Sequence, residues 1–322
     1  MNAETPSEPH TIPFDLAARD LGVLVGFDGS PNSEGALAYA ARVAVRRELP
    51  LTVLTVYRVP MPVYTTYVTL PASEAEGEER KKAAAQLLEG AAKMLEGHPG
   101  KVSYLSAEGD SVGMLAEASA RAQLVVVGAQ GRGGFLGRVM GSVSTALPAH
   151  AQCPTVVVPP ESEAVDGRVI VGVDGSSHGR RASLHAAREA VERGTSLLLL
   201  TALQPPDRGE YWFPMLPHET GELVDRRRTE LEEQLEQEVQ WLTGHVPEVQ
   251  ATAEVRVGSP ASVLREAMPS TQLTVVCSHG RGAFTSALLG SVSRATLHGA
   301  ERPVMVVPPL RDDRVGESPL GR

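Results

Sequence analysis

Residues 125–143 have the sequence Val125-Val-Val-Gly128-Ala-Gln-Gly131-Arg132-Gly-Gly-Phe-Leu-Gly-Arg-Val-Met-Gly141-Ser142-Val143, in which an apolar run ends on a glycine and a glycine-rich loop follows. Glycines let a backbone come close to a ligand, and the first N–H groups of a helix have no partner within that helix. The order of strand, loop and helix start therefore predicts a binding site for nucleotide phosphates. Taken alone, such a loop is as often a simple tight turn.

The same arrangement occurs twice in the chain. A second apolar run ends at Cys277, and Gly280-Arg281 and Gly290-Ser291-Val292 follow it. Upstream, Gly26-Phe-Asp28-Gly29-Ser30 matches Gly172-Val-Asp174-Gly175-Ser176. Because the repeat is one domain long, it indicates a duplicated domain and not a solenoid of short repeats. The recurrence also favours the phosphate-site interpretation over a tight turn.

The alternation of apolar runs with amphipathic segments predicts the fold class. Apolar runs without polar alternation are typical of parallel strands that are covered on both faces, and helical periodicity separates them. Ser33 is the predicted N-cap of the first helix. We expect two tandem α/β domains, each a doubly wound, Rossmann-like, five-stranded parallel sheet. The predicted strands are residues 21–26, 51–56, 102–106, 124–127 and 155–158, then 169–173, 196–202, 252–257, 273–276 and 304–307.

Composition and repeat boundaries predict the domain organisation. At 322 residues the chain is long enough for two cores, because single cores usually stop growing at about 250–300 residues. We expect a disordered N-terminal tail, a first domain, a linker, a second domain and a C-terminal tail at residues 1–20, 21–160, 161–167, 168–310 and 311–322.

Charge and cysteine content limit the classes of partner and the compartment. A net charge of -9 argues against a nucleic-acid surface, which needs clustered Lys and Arg. No apolar stretch predicts a signal peptide or a membrane span.

The two cysteines, Cys153 and Cys277, predict no disulfide framework and are interpreted as inert core thiols. No metal-ligand spacing is present. We therefore expect a cytoplasmic protein with no nucleic-acid or membrane partner.

The motif Gly128-x2-Gly131-x9-Gly141-Ser142, with Asp28 after the first strand, resembles the ATP-binding class of the universal stress protein family. The resemblance covers roughly residues 21–309, and the duplication is similar to that of tandem members. It implies a fold like that of the adenine nucleotide alpha hydrolases. The ligand that it implies is an adenine nucleotide, ATP, with or without Mg²⁺.

The same resemblance implies roles for individual residues. Asp28 and Val56 would hold the adenosine, and the glycines with the helix start would bind the phosphates. Ala202 is the counterpart of Val56 in the second copy. Arg132 and Arg281, each after the second glycine, are candidate phosphate partners. The predicted nucleotide-binding residues are Gly26, Asp28, Gly29, Ser30, Val56, Gly128, Gly131, Arg132, Gly133, Gly141, Ser142, Val143, Gly172, Asp174, Gly175, Ser176, Ala202, Cys277, Gly280, Arg281, Gly282, Gly290, Ser291 and Val292.

The second copy departs from the motif at one position, where Cys277 replaces the glycine equivalent to Gly128. If that position requires a positive φ or a close approach to phosphate, a side chain there costs about 1 kcal/mol or more. The sequence therefore leaves open whether the second site is occupied.

Three functions are compatible with these motifs. The first is a nucleotide-dependent sensor or regulator in the stress response, because the loop lacks the Gly-Lys-Ser/Thr of P-loop hydrolases and no catalytic residue is evident. The second is slow ATP hydrolysis, autophosphorylation on Ser142 or Ser30, or nucleotidyl or phosphoryl transfer with Mg²⁺ held by Asp28 and Asp110. The third is an interaction protein with a vestigial site. The aromatic segment 211–213 is a candidate contact with a partner, but a cluster that folds back on its own loop is the favoured interpretation.

The last predicted strand of each copy, residues 155–158 and 304–307, is an apolar edge that needs cover. In the resembling family such strands pair across a dimer. We therefore expect the two copies to pair with each other inside one chain as a pseudo-dimer, an arrangement that leaves room for a homodimer of the whole chain.

Overall fold

The first half of the chain alternates strands and helices in the predicted order. The computed structural model describes residues 15–59, 63–64, 69–70, 74–131, 140–160, 166–204, 217–280 and 289–310. The elements of the first half are β1 (Gly22–Gly26), α1 (Pro31–Arg46), β2 (Leu51–Tyr57), β3 (Val63–Tyr64), β4 (Thr69–Leu70), α2 (Glu74–Met94), β5 (Val102–Glu108), α3 (Ser111–Ser119), β6 (Ala122–Gly128), α4 (Ser142–His150) and β7 (Thr155–Val158).

The second half repeats this order, and its described residues contain no counterpart of the short β3–β4 pair. Its elements are β8 (Arg168–Gly172), α5 (Ser177–Arg193), β9 (Leu197–Leu203), α6 (Pro217–His245), β10 (Ala251–Val257), α7 (Pro260–Ala267), β11 (Thr271–Cys277), α8 (Ser291–His298) and β12 (Val304–Val307).

Ten of the strands form one sheet, in the order β10-β9-β8-β11-β12-β7-β6-β1-β2-β5. Within each half all five strands are parallel, as the sequence predicts. The halves join through β7 and β12, which pair antiparallel with Met305 opposite Val156. This is the pairing of the two final strands that we expected, and it covers both apolar edges within the chain.

Helices cover both faces of the sheet. One apolar layer contains residues of α1, α2, α5 and α6, and the other contains residues of α3, α4, α7 and α8. Successive strand residues alternate between the layers, since Val23 and Val25 belong to the first and Leu24 to the second. Burial on both faces explains why these strands are continuous apolar runs. No helix in the part of the chain described is long and apolar enough to span a membrane.

The end of the predicted N-terminal tail packs on the first half, so the expectation of a disordered segment up to residue 20 is wrong for residues 15–20. Arg19 is buried, and its guanidinium donates to the carbonyl oxygens of Ser119 at 2.9 Å and Ala122 at 2.6 Å. Asp20 forms an ion pair with Arg121. The signal that was missed is a single arginine, which satisfies carbonyl groups at the end of α3.

The two halves also meet through α1 and α5, where a buried carboxylate binds arginines from both. Glu189 of α5 is fully buried and accepts from Arg47 at 2.5 Å and from Arg193 at 2.8 Å. Arg193 also donates to the Tyr39 hydroxyl of α1 at 2.6 Å. Burial alone would raise the pKa of Glu189, but the surrounding arginines outweigh it and lower the pKa. The carboxylate is therefore charged in the folded chain.

Candidate functional site

The first cavity, of about 670 Å³, opens at the C-terminal ends of β1, β2 and β6. The strand order reverses here, because β1 connects to β2 on one side and has β6 on the other. Loops diverge at such a point and leave a crevice. The volume lies within the usual range for small-molecule sites. The described lining residues are Gly26, Phe27, Asp28, Ser33, Leu54, Val56, Ser111, Leu115, Val127, Gly128, Gln130, Gly131, Met140, Gly141, Ser142, Val143 and Ser144.

Asp28 is held by the turn that follows β1. Its Oδ1 accepts from the backbone N–H of Ser30 at 3.0 Å and from the Ser30 hydroxyl at 2.6 Å. Gly29, between them, has a φ of 73°, which favours glycine. The Ser30 hydroxyl also accepts from the Ser33 N–H, so the N-cap of α1 is Ser30 and the prediction of Ser33 is wrong. The turn thus orients the carboxylate while it starts the helix.

The second loop glycine lies directly against this carboxylate. A Cβ at Gly131 would be 2.7 Å from Oδ2 of Asp28, and a Cβ at Gly280 would be 2.5 Å from Oδ2 of Asp174. Carbon atoms do not approach oxygen so closely, so any side chain here would displace the carboxylate. In the first half, the glycine therefore lets the loop after β6 contact the turn after β1. In the second half, it lets the loop after β11 contact the turn after β8.

The first loop glycine has a different neighbour. A Cβ at Gly128 would be 2.6 Å from the carbonyl oxygen of Asn32, in the first turn of α1, and the φ of Gly128 is not positive. Packing against α1 is thus one reason for glycine at this position, whereas a positive φ is not. In the second half Cys277 has this position and lines the cavity, so its side chain is accommodated.

The helix that closes each cavity begins without a side-chain cap. Gly141 is the N-cap of α4 and Gly290 that of α8, and neither provides a side chain that could accept from a first-turn N–H. By contrast, Ser30, Asp110, Ser176 and Ser259 cap α1, α3, α5 and α7 with their side chains. The first N–H groups of α4 and α8 have no partner within their helices. Ser142 and Val143, like Ser291 and Val292, line the cavities, so these donors lie at the cavity wall.

Backbone bonds close the loop before each of these helices. The Gly141 N–H donates to the Ala129 carbonyl at 2.8 Å, and the Gly290 N–H donates to the Ser278 carbonyl at 2.8 Å. The Ser144 hydroxyl donates to the same Ala129 carbonyl at 2.6 Å. The amides of the two glycines are therefore engaged in the loop, and the donors left at the helix start belong to the residues after them.

The second cavity, of about 580 Å³, occupies the equivalent place at the ends of β8, β9 and β11. It differs from the first in that a helix on the outer side, α6, contributes Arg227 and Leu231. Its described lining residues are Gly172, Val173, Asp174, Leu200, Thr201, Ala202, Leu203, Arg227, Leu231, Pro260, Val263, Leu264, Val276, Cys277, Gly280, Gly290, Ser291, Val292 and Ser293.

Most of the predicted site residues line one of the two cavities, but four do not. Gly29, Ser30, Gly175 and Ser176 belong to the turns behind the aspartates, and they hold Asp28 and Asp174 from outside the cavity. Four others, together with the aromatic segment 211–213, lie outside the described residues. These four are Arg132, Gly133, Arg281 and Gly282.

Sequence reasoning missed the apolar walls. Leu54 lies two residues before Val56 on β2, and Leu115 projects from α3 to within 3.2 Å of a Cβ built on Gly26. The equivalent residues in the second half are Leu200 and Leu264. The strand residue could have been found, because residues two apart on a strand share a face. The helix residue could not, because its place depends on how α3 packs.

The carboxylate pair considered for Mg²⁺ does not come together at the cavity. Asp110 is not a lining residue, since its carboxylate accepts from the Gly113 N–H at 3.0 Å and forms an ion pair with Arg58. The position equivalent to it in the second half is Ser259, another N-cap. Within the described residues, no group of three or more His, Cys, Asp or Glu could hold a metal ion.

Two titratable groups near Asp174 are kept neutral. Burial raises the pKa of the Cys277 thiol to about 12, and the nearby Asp174 adds to this effect. Burial also lowers the pKa of His178, the counterpart of Asn32, and Arg181 and His279 lower it further. Because a neutral thiol is a poor nucleophile, Cys277 is an unreactive part of the cavity wall.

One family model matches both halves of the chain. The model of a family described as the universal stress protein family matches residues 22–159 and again residues 167–308. A universal stress protein of Mycolicibacterium smegmatis is 37% identical over 306 residues, which cover 91% of this chain and 99% of that relative. One from Mycobacterium tuberculosis is 36% identical over 309 residues, which cover 89% of this chain and 95% of the relative.

Comparison with solved structures supports the same architecture. The crystal structure of a universal stress protein from Archaeoglobus fulgidus DSM 4304 matches with a TM-score of 0.64. The match covers 93% of this chain and 99% of that chain, at 20% sequence identity. At this identity the likeness establishes the fold, and two such domains in tandem.

Proposed function

The chain belongs to the universal stress protein family, as a member with two domains in tandem, and from this premise we propose that it binds ATP and acts as a nucleotide-dependent regulator in the stress response. Each half would provide one site. The residues of each site are those that line its cavity, together with the turn that orients its aspartate.

One observation carries this proposal: the same three features meet at both cavities. These are an aspartate fixed by its own turn, a glycine that touches the carboxylate, and a helix whose first turn has no side-chain cap. Uncapped helix N-termini favour anions, because their N–H groups and the helix dipole are directed at the ligand. The combination suits a ligand with a polar base at one end and phosphates at the other.

The proposed orientation follows from the cavity walls. The phosphates would accept from the N–H groups at the start of α4, near Ser142 and Val143. The base would lie between Leu54, Val56 and Leu115, where an apolar wall suits an aromatic ring. Asp28 would accept hydrogen bonds from the base or ribose. The hydrogen bond from the Ser30 hydroxyl orients its carboxylate. If Mg²⁺ accompanies ATP, the phosphates would supply most of its ligands.

The lining supports regulation by binding more than fast catalysis. Among the described residues, Asp28 is the one carboxylate that lines the first cavity and Asp174 the one that lines the second. Each is already bonded through Oδ1 to a serine hydroxyl. Ser30 is buried and donates to Asp28, which makes it a poor phosphorylation site, whereas the exposed Ser142 lines the cavity.

Mass spectrometry of nucleotide released from freshly purified protein would test the proposal. We expect ATP, or ADP derived from it, at one to two molecules per chain. As a control, Gly131→Val with Gly280→Val should carry none, because each added side chain would displace an aspartate. Release of no nucleotide, together with no uptake of ATP added afterwards, would refute it.

A further inference from the structure

The second cavity has a cationic wall residue that the first cavity lacks among the described residues. Arg227 of α6 lines it, whereas no described residue of α2 lines the first cavity. Its neighbours Arg226 and Arg228 are exposed and do not line the cavity. The Arg227 side chain is partly exposed and donates to Glu230 one turn later at 2.8 Å. Arg227 therefore lies at the mouth of the cavity, and Glu230 partly balances its charge.

The sheet order determines which end of the cavity Arg227 faces. α6 packs on β9 and β10, whereas the loop that leads to α8 follows β11. β8 lies between β9 and β11, so the two walls are about 10 Å apart at the usual spacing of neighbouring strands. α6 and α8 also lie on opposite faces of the sheet. Arg227 is thus at the end away from the proposed phosphate site.

The residue of β9 at position 202, which lines the same cavity as Arg227, is small. Ala202 has the position that Val56 has in the first half, and Leu203 and Leu231 continue the apolar wall. Leu203 and Leu231 belong to the apolar layer that contains α6, so an aromatic base at this end of the cavity would have Arg227 within reach on its α6 side. A guanidinium is planar and weakly hydrated, so it stacks on aromatic faces more readily than an ammonium does.

We propose that Arg227 stacks on the base of the nucleotide in the second site and sets the preference of that site for ligands with an aromatic base. This inference rests on the proposed function, because it needs the second site to hold a nucleotide. It makes the two sites unequal: both have an aspartate and an apolar wall, and the second adds a cation that contacts the base.

Calorimetry on a chain with only the second site would test the inference. Gly131→Val disables the first site, and Asp28→Ala serves the same purpose should that variant be unstable. In this background Arg227→Ala should weaken ATP binding about five- to tenfold. Arg227→Lys should recover only part of the loss, since it restores the charge without the planar group. Arg226→Ala and Arg228→Ala are matched controls and should leave the affinity unchanged.

Inorganic triphosphate distinguishes the two ends of the site. If Arg227 contacts the base, Arg227→Ala weakens ATP binding and leaves the affinity for triphosphate unchanged. An equal loss for ATP and triphosphate would overturn the inference, and so would no loss for ATP, while the proposed function would stand. Absence of ATP binding in the Gly131→Val and Asp28→Ala backgrounds, with Arg227 intact, would overturn both the inference and the proposed role of the second site.

Discussion

The two loop glycines of the first half, Gly128 and Gly131, have different neighbours and different structural roles. Gly131 is next to Oδ2 of Asp28, and Gly128 is next to the backbone of Asn32. The first therefore shapes the site, and the second allows α1 to pack against the end of β6. This division explains why the second half keeps Gly280 but has Cys277 in place of the other glycine. Only the contact with the aspartate is required in both halves.

Replacement of Gly128 by alanine should destabilise the fold. The added Cβ would be 2.6 Å from the Asn32 carbonyl oxygen, so α1 must shift, at a cost of about 1–3 kcal/mol. Gly90→Ala is a matched control, because a Cβ there meets nothing within 4 Å and alanine favours the helix by about 1 kcal/mol. Urea denaturation would measure both. A Gly128→Ala protein as stable as the parent would contradict the packing account.

The Cys277 thiol should react slowly with iodoacetamide. Its pKa of about 12 keeps it protonated at neutral pH, and a thiol needs its thiolate form to react. In a Cys153→Ser variant, labelling between pH 7 and pH 9 should be much slower than in the unfolded chain, and ATP should slow it further because Cys277 lines the cavity. Labelling at the unfolded rate would show that the thiol is not held in the buried wall.

At the level of elements, helix starts distinguish structural from binding positions. Four helices begin with a serine or aspartate whose side chain accepts a first-turn N–H, and the two at the cavities begin with glycine. A side-chain cap would occupy the donors that a ligand needs. The contrast within one chain therefore separates the helices whose first-turn donors are satisfied by a side chain from the two that leave these donors at a cavity.

Ser30→Ala should cost about 1 kcal/mol of stability through the lost cap. The same change removes the hydroxyl that donates to Asp28, so we also expect weaker ATP binding at the first site. Ser176→Ala is the matched change in the second half, where the hydroxyl makes the equivalent bonds. Thermal denaturation and ATP titration would measure the two effects. Unchanged stability in both variants would contradict the capping role.

Apolar periodicity was sufficient to predict the strands and their parallel order, because strands covered on both faces are apolar throughout. The aspartates, loop glycines and helix starts that line the cavities were predicted from the repeated glycine motif and from the resemblance to the universal stress protein family. The sequence could not give the packing of Arg19 or the approach of Arg227 and Leu115 to the cavities. Each of these depends on where an element lies relative to a distant one, and a single sequence does not encode that distance locally.

At the scale of the whole molecule, duplication has allowed the two halves to differ where they meet. Glu189 of α5 is buried among Arg46, Arg47 and Arg193, and the equivalent position in α1 is Val43, which is also buried. Two copies of either half alone would place like residues against each other. The charge network therefore favours pairing of the first half with the second within one chain.

Glu189→Gln should destabilise the chain by about 3–5 kcal/mol at neutral pH, because it leaves buried arginines without their carboxylate. Glu192→Gln is the control: that side chain is more exposed and binds only Arg47 at 2.7 Å, so we expect under about 1 kcal/mol. Urea denaturation at pH 7 would measure both. An equal effect of the two variants would contradict a special role for the buried carboxylate.

The lowered pKa of Glu189 predicts that the free energy of unfolding depends on pH. The pKa of Glu189 is lowered from its ordinary 4.5, so its contribution is fully present above about pH 4.5 and is lost as the pH falls through the folded-state value. The variant Glu189→Gln should therefore lose less stability than the parent between neutral pH and pH 4 or below. An unchanged slope in this acid range would show that the carboxylate does not titrate with unfolding.

We propose that both cavities hold nucleotide through an aspartate and an uncapped helix start. Calorimetric titration of ATP into the parent chain, stripped of any nucleotide, tests it most directly. We predict saturable heat with one to two ATP per chain, and none for the chain that carries both Gly131→Val and Gly280→Val. Absence of heat in the parent, or the same isotherm in the double variant, would contradict it.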